Sequence, residues 1–223
     1  MGEIGELYEK NVKCPVCNIE FKTKKVRTSR LRLIKRDKDF LSYYKGENPL
    51  KYNIFVCPHC GYAASESKYN SITDKDREII LKEVTSKWNS RDYGDKRTVD
   101  DAIETYKLAL YIGQLLDYKR IDLGSLCLSI AWLYRIKEDL EEEKRFLKLT
   151  KNLFEEGYYK ETLEDTNMEE LRLDYLLGEI SRRLEDKEDA LKWFNTTLSN
   201  PRLKSKPVIE KIVREQWRLM REG

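Results

Sequence analysis

The sequence predicts an α+β protein, mostly α, in which a small antiparallel β module precedes a helical repeat domain. Three observations carry this. Cys-Pro-x-Cys is written twice in the first 70 residues, at Cys14–Cys17 and Cys57–Cys60. Between the copies, polar and apolar residues alternate with the period of a strand. From Thr73 onward, apolar residues recur at helical spacing behind helix-capping signals. The expected boundaries are 1–70 for the β module, 71–97 for a connecting helix and loop, and 98–223 for the helical domain.

The chain has 223 residues, of which 40% are hydrophobic and 37% charged. That is too charged for a membrane protein and too apolar for a disordered one. No apolar run approaches the roughly 20 residues of a bilayer span. The first thirteen residues lack the basic start and apolar core of a secretion signal, and the sixth is not the Ser or Thr of a myristoylation site. The expectation is a cytoplasmic protein with no membrane partner. Net charge is +3, unevenly spread: residues 1–70 hold 14 Lys/Arg against 8 Asp/Glu, the rest 29 against 32. Two parts with different surfaces are implied.

The doubled motif is the most informative feature. In a reducing compartment, disulfides are a poor reason for four cysteines. A redox CxxC is the obvious rival, but it normally occurs once, within a βαβ unit. Two cysteines three apart on a tight turn can reach one metal, and Pro15 and Pro58 pre-set φ for that turn. Gly61 follows the second pair where a left-handed residue is convenient. Cys14, Cys17, Cys57 and Cys60 are therefore expected to hold a structural Zn2+, since four thiolates leave no open coordination position. The interval between the pairs exceeds the usual 15–20 residues, so the zinc ribbon should carry an insertion. His59, the one histidine, is read as a solvent-facing knuckle residue. Cys127, in an apolar helical stretch, is read as a buried thiol.

The insertion holds a basic strip from Lys22 to Arg36: Lys22, Lys24, Lys25, Arg27, Arg30, Arg32, Lys35 and Arg36, with no acid among them. Around "RLRL" (Arg30–Leu33) the alternation predicts a strand, with the leucines on one face. "KYNIFVC" (Lys51–Cys57) is a second strand, and "KGENPLK" (Lys45–Lys51) a loop. Together they predict one small antiparallel sheet braced by zinc. The strip could bind nucleic acid, with Tyr43, Tyr44 and Tyr52 stacking on bases, or be a solvated strand face that blocks edge pairing.

Thr73–Asp76 reads as a capping box, and Ile80, Val84 and Trp88 as the apolar face of a first helix. Asn89–Arg97 reads as loop. Further on, Ala102, Tyr106 and Ala109 share the spacing of Ala190, Phe194 and Thr197, and Ile130, Ala131 and Tyr134 anticipate Leu177 and Gly178. Small residues at these spacings let helices approach closely, which is similar to the tetratricopeptide repeat over roughly 98–200. The copies are irregular: Gly178 lies 47 residues after Ala131, with "EGYYKETLEDTN" (Glu156–Asn167) expected to loop out. Glu143 stands where a small residue is usual. Ser205 is the expected N-cap of a final helix whose Ile209, Ile212, Val213 and Trp217 would cover the last repeat. The repeat resemblance implies a concave groove lined by Trp132, Arg135, Arg172, Tyr175, Glu179 and Arg182, suited to an acidic or C-terminal peptide.

The whole combination resembles a bacterial family known as domain of unknown function 2225. The residues that carry the likeness are "CPVC", "CPHCGYAA", "TSRLRLIKRDKDF", "YYKGENPL" and the tetratricopeptide-like tail. The resemblance implies a fold and no activity. No Gly-rich phosphate loop or Ser-His-Asp set is present, so no enzyme is expected. The leading expectation is a cytoplasmic adaptor that binds a protein or peptide. The alternatives are a nucleic-acid-binding protein using the basic strip and a thiol or zinc sensor.

Overall fold

The computed structural model describes residues 5–164, 166 and 168–222. Strands come first: β1 (Leu7–Lys13), β2 (Glu20–Val26), β3 (Leu33–Arg36), β4 (Ser42–Tyr44), β5 (Ile54–Val56) and β6 (Ala63–Ser65). Helices follow: α1 (Asp74–Glu83), α2 (Val99–Leu115), α3 (Arg120–Ile136), α4 (Leu140–Lys160), α5 (Glu170–Arg183), α6 (Lys187–Ser199) and α7 (Pro207–Glu222). The mostly helical α+β class holds. The single small sheet does not: the strands pair as three separate antiparallel ladders, β1–β2, β3–β4 and β5–β6.

The chain folds into two compact units. The first takes the residues up to Arg36, Ser42–Tyr118 and Trp132–Leu140; the second takes Asp37–Leu41, Lys119–Ala131 and the residues from Glu141 on. Where the sequence marks a boundary between 70 and 97, the first unit runs on through α2. The reason is packing: α2 lies against β5 and β6, and the Tyr106 hydroxyl donates to the Leu50 carbonyl at 3.1 Å.

In the first unit, β1 and β2 pair in register from Leu7↔Val26 to Lys13↔Glu20. The polar run Glu9–Asn11 hides β1 from a periodicity reading. Much of the basic strip becomes β2 because Phe21, Thr23 and Val26 turn inward. The strand expected around Arg30–Leu33 starts later. Thr28–Arg30 is a 3-10 turn, and β3 has no buried face, with Leu33 52% and Ile34 67% exposed. Thr73 and Asp76 form the expected capping box, and Thr98 and Asp101 form another on α2. Trp88, expected on α1, lies beyond its end.

The second unit is built from α4–α7 and the first turns of α3. Small residues set the helix spacing there: a Cβ on Gly178 of α5 would lie 2.5 Å from the Phe194 ring of α6. Leu171, Tyr175, Ala190, Phe194, Leu203, Ile209 and Val213 form the core, and Ile212 and Trp217 pack on its edge as expected for a covering α7. Ser205 is not the cap of α7. It closes a 3-10 turn, Pro201–Ser205, by donating to the Arg202 carbonyl at 2.7 Å. The expected loop "EGYYKETLEDTN" is shorter than its pattern, since α4 extends to Lys160; Asp165 and Asn167 lie outside the described residues.

Three helices end alike. Asp117, Glu138 and Glu185 take positive φ of 52°, 64° and 67° after α2, α3 and α5. The next N–H reaches back to Gly113, Tyr134 and Ser181 carbonyls at 2.8, 3.0 and 3.0 Å. This is the Schellman closure, usually made with glycine. Its acidic residues gave no glycine signal, so these stops were not legible as such.

Candidate metal centre

The four cysteines sit at the tips of two hairpins with loops of equal length. In the first, the ladder closes at Lys13↔Glu20, and in the second at Val56↔Ala63. Each therefore leaves the same length of loop around its Cys-Pro-x-Cys. The hydrogen bonds repeat too. Asn18 N–H donates to the Cys14 carbonyl at 2.9 Å and Gly61 N–H to the Cys57 carbonyl at 3.0 Å. Cys14 N–H reaches Ile19 at 3.0 Å, and Cys57 N–H reaches Tyr62 at 2.9 Å. Both turns need a left-handed residue, supplied by Asn18 at φ 61° and Gly61 at φ 74°. Asparagine tolerates that region better than most residues, so Asn18 does in the first turn what Gly61 does in the second.

The sulfurs converge. Cys14 Sγ lies 3.5 Å from Cys60 Sγ, and Cys17 Sγ 3.6 Å from Cys57 Sγ. All four lie within 4.8 Å of one another. A tetrahedral ion with metal–sulfur bonds of about 2.3 Å has sulfur–sulfur edges of about 3.8 Å, so the donor set fits. Thiol hydrogen bonds from Cys57 and Cys60 hold the Cys14 thiol low, and the bond to Cys14 in turn pushes Cys57 and Cys60 up. A divalent cation is what would let all four ionise together. Cys14, Cys57 and Cys60 are buried and Cys17 half-buried, which shields three of the sulfurs from an oxidant. His59 is exposed, and Cys127 is buried, its thiol pushed up to about 12 by desolvation.

A layer that the motif alone did not reveal wraps the second turn. The Trp88 indole N–H and the Ser90 hydroxyl donate to the Pro58 carbonyl at 2.9 and 3.1 Å. Thr85 donates to the Cys60 carbonyl at 3.0 Å. A Cβ on Gly61 would lie 2.5 Å from the Trp88 ring, so glycine serves both the turn and the close approach. Tyr62 and Tyr69 stack at 4.9 Å, with Phe55 edge-on to Tyr69 at 5.5 Å.

The basic strip does not form one surface. Lys22 and Lys24 pair with Glu9 at 3.1 and 3.2 Å, and Lys25 with Glu66 at 2.6 Å. Arg27 lies over the Tyr8 ring at 5.2 Å. Arg30, Arg32, Lys35 and Arg36 are exposed, although Lys35 stacks on Tyr43 at 4.3 Å and Arg36 donates to Ser42 at 3.0 Å. Tyr52 is buried and bonded to Glu47 at 2.9 Å, so it presents no ring to a base.

The six groove residues also divide. Trp132 and Arg135 belong to the first unit, and Arg172, Tyr175, Glu179 and Arg182 to the second. Tyr175 and Glu179 are fully buried and open to no groove. The Arg182 guanidinium is committed to Glu179 at 2.8 Å by two hydrogen bonds. What covers this face is the turn Asp37–Leu41. The Tyr175 hydroxyl donates to the Lys38 carbonyl at 2.9 Å, and its ring lies 5.4 Å from that of Phe40. Arg172 stacks over Phe40 at 4.8 Å. Arg183 meets Asp39 at 3.5 Å, and Lys38 meets Glu215 of α7 at 2.6 Å.

One further buried acid on α5 has a pH consequence. Asp174 is 1% exposed, its Oδ1 has no hydrogen-bond partner, and burial raises its pKa from 3.8 to about 6. A carboxyl raised on folding adds stability that is complete below its unfolded pKa and lost as pH rises through its folded one. Asp174→Asn is therefore expected to stabilise the chain at pH 7 by up to about 3 kcal/mol, with the gain vanishing near pH 4. Denaturant melts at the two pH values check this; equal gains at both would show that ionisation is not the cause.

Fold and site together define a mostly helical α+β protein with a four-cysteine cluster fitted to hold a metal ion. No helix among the described residues is long and apolar enough to cross a membrane. The chain belongs to the family described as uncharacterized protein conserved in bacteria (DUF2225), whose model it matches over residues 7–220. It is similar to an uncharacterized protein of Borreliella burgdorferi, with 25% identity over 177 residues, covering 71% of this chain and 63% of that protein. It thus spans less than two thirds of that relative. No solved structure matches it.

Proposed function

We propose that this is a non-catalytic, zinc-bearing adaptor whose helical unit grips a segment of a partner polypeptide on the face of α5. Zinc is the metal this site suits best, because four thiolates in a closed tetrahedron favour a soft-accepting divalent ion with no need of an open position. Its role is structural, since the cysteines join two hairpins remote in sequence. The observation that carries the binding role is the α5 face itself. It holds the five residues Asp37–Leu41 by ring stacking, an ion pair and a hydroxyl-to-carbonyl bond, which are the means by which helical faces hold peptides.

Arg172 is the accessible part of that face. Arg172→Glu is expected to lower capture of a bound protein at least tenfold while metal content and melting temperature stay at parental values. Arg182 is a poor choice for the same test, because reversing it would set a second acid against buried Glu179. Undiminished capture by Arg172→Glu would remove α5 as the binding face.

A further inference from the structure

We infer that the α5 face is a recognition site for a turn carrying an acid and an adjacent aromatic, and that Asp37–Leu41 occupies it as an internal competitor. This rests on the reading of α5 as the partner-binding face and names the chemistry of the partner.

The turn is built at a steric cost. Asp37 N–H donates to the Leu41 carbonyl at 2.8 Å, and Phe40 N–H to the Asp37 carbonyl at 3.0 Å. This closes a short hairpin loop whose last residue is left-handed, the position that normally takes glycine. Here it is Phe40, at φ 73°. A bulky residue in that region is an outlier, and strained residues persist only where their surroundings over-determine them. Phe40 packs on the core cluster and lies between Tyr175 and Arg172. Asp39 is fully buried against Arg183. A loop whose only task was to join β3 to β4 would carry glycine at position 40 and have no use for a buried acid.

The seat is therefore specified by its occupant. Arg183, bonded to Glu179 of its own helix at 2.9 Å, also meets Asp39 at 3.5 Å and Asp37 at 4.0 Å, so the seat takes acids. Tyr175 and Arg172 accept one aromatic ring, and the Tyr175 hydroxyl accepts any backbone carbonyl as partner. The requirement is Asp-x-Asp followed by an aromatic, presented in a turn. A partner with the same elements and a glycine-like freedom at the turn would avoid the strain that Phe40 bears, and so compete with the internal segment.

The test uses the full chain and a fluorescent cyclic peptide carrying Asp37–Leu41. Phe40→Gly keeps the left-handed turn but vacates the ring seat, so it should bind the peptide at least tenfold more tightly than the parent. Adding Arg172→Gln, which removes the exposed guanidinium that stacks on the seated ring, should abolish that gain. In the parent chain, excess peptide should accelerate trypsin cleavage after Lys38, which the seated turn protects. This second arm stands if Phe40→Gly fails to fold. A folded Phe40→Gly that binds no better than the parent, or unchanged cleavage after Lys38 at saturating peptide, overturns the inference. A protein captured through Arg172 but insensitive to the peptide would leave the adaptor role standing and remove this inference alone. Peptide binding with no Arg172-dependent capture would do the reverse.

Discussion

Cys60→Ala is expected to leave the first unit without its native tertiary structure under conditions in which the parent chain is folded. The cysteines close two loops that share no other covalent tie, and three of the four sulfurs are buried. Binding of zinc to such a site contributes on the order of 10–16 kcal/mol, comparable to or above the 5–15 kcal/mol by which domains are typically stable. Removing one ligand also strands the remaining thiolates, those of Cys14 and Cys57 buried, where charge is costly. The measurement is metal content by mass spectrometry together with near-ultraviolet circular dichroism, which reports the packing of the Tyr62, Tyr69 and Phe55 rings. The parent should carry one zinc per chain and lose its near-ultraviolet signal on treatment with a strong chelator at neutral pH. Restored zinc should restore the signal. A chelated chain that keeps its spectrum and melting temperature would show that the hairpins hold themselves together and that the cluster is not structural. The same experiment on Cys127→Ala isolates the site, because that thiol belongs to the second unit and its loss leaves only a small cavity.

The parts of this molecule that were legible in the sequence are those written in short-range code. Two Cys-Pro-x-Cys motifs gave the four cysteines that converge, because spacing on a turn dictates which sulfurs can meet. Thr73 and Asp76 gave a helix start because the capping box lies within one turn. The α7 face was readable from Ile209, Ile212, Val213 and Trp217, since helical periodicity needs no partner to be seen. What was not legible depends on residues far apart in the chain. Trp88 looked like the next step of an apolar helix face, yet its indole serves the carbonyl of Pro58. Tyr175 and Glu179 looked like groove residues by repeat position. Both are buried, and on Tyr175 lies a turn more than a hundred residues earlier in the chain, which no local pattern announces. A signal did exist at Phe40: a hairpin turn, "RDKDFLS", in which the customary glycine is missing. β3 misled in the opposite sense. The alternation of arginine and leucine at Arg30–Leu33 looked amphipathic, but the strand that follows it meets solvent on both faces, so the pattern had no core behind it.

The other long-range tie is a single side chain. Arg97→Met is expected to cost about 3–5 kcal/mol and to lower the melting temperature by roughly 10 °C. Arg97 ends what the sequence shows only as a loop, yet it is 3% exposed. Its Nε donates to the Tyr93 carbonyl at 2.8 Å, and its Nη1 to the carbonyls of Lys51 and Ile54 at 3.0 and 2.8 Å. Nη2 reaches Thr23 of β2 at 3.4 Å, and the backbone N–H reaches the Tyr52 hydroxyl at 3.3 Å. One guanidinium thus satisfies carbonyls on two segments, Lys51–Ile54 and Tyr93, and reaches a third at Thr23. Burial lowers its pKa to about 10, so it stays charged at neutral pH, and its partners are largely dipoles. Methionine fills the volume but leaves those carbonyls without donors, each a cost of about 1–3 kcal/mol. Arg97→Lys should recover little, because one ammonium cannot reproduce a planar fork. The control is Arg91→Met. Arg91 pairs with Glu104 at 3.4 Å while 62% exposed, and such surface pairs are worth at most about 1 kcal/mol. Melts of all three variants at saturating zinc keep the contribution of the metal constant. If Arg97→Met melted with the Arg91 variant, the carbonyls of Lys51, Ile54 and Tyr93 would have found other donors. The fork would then be a consequence of the way β2, β5 and the α2 N-terminus already pack, not the reason they stay together.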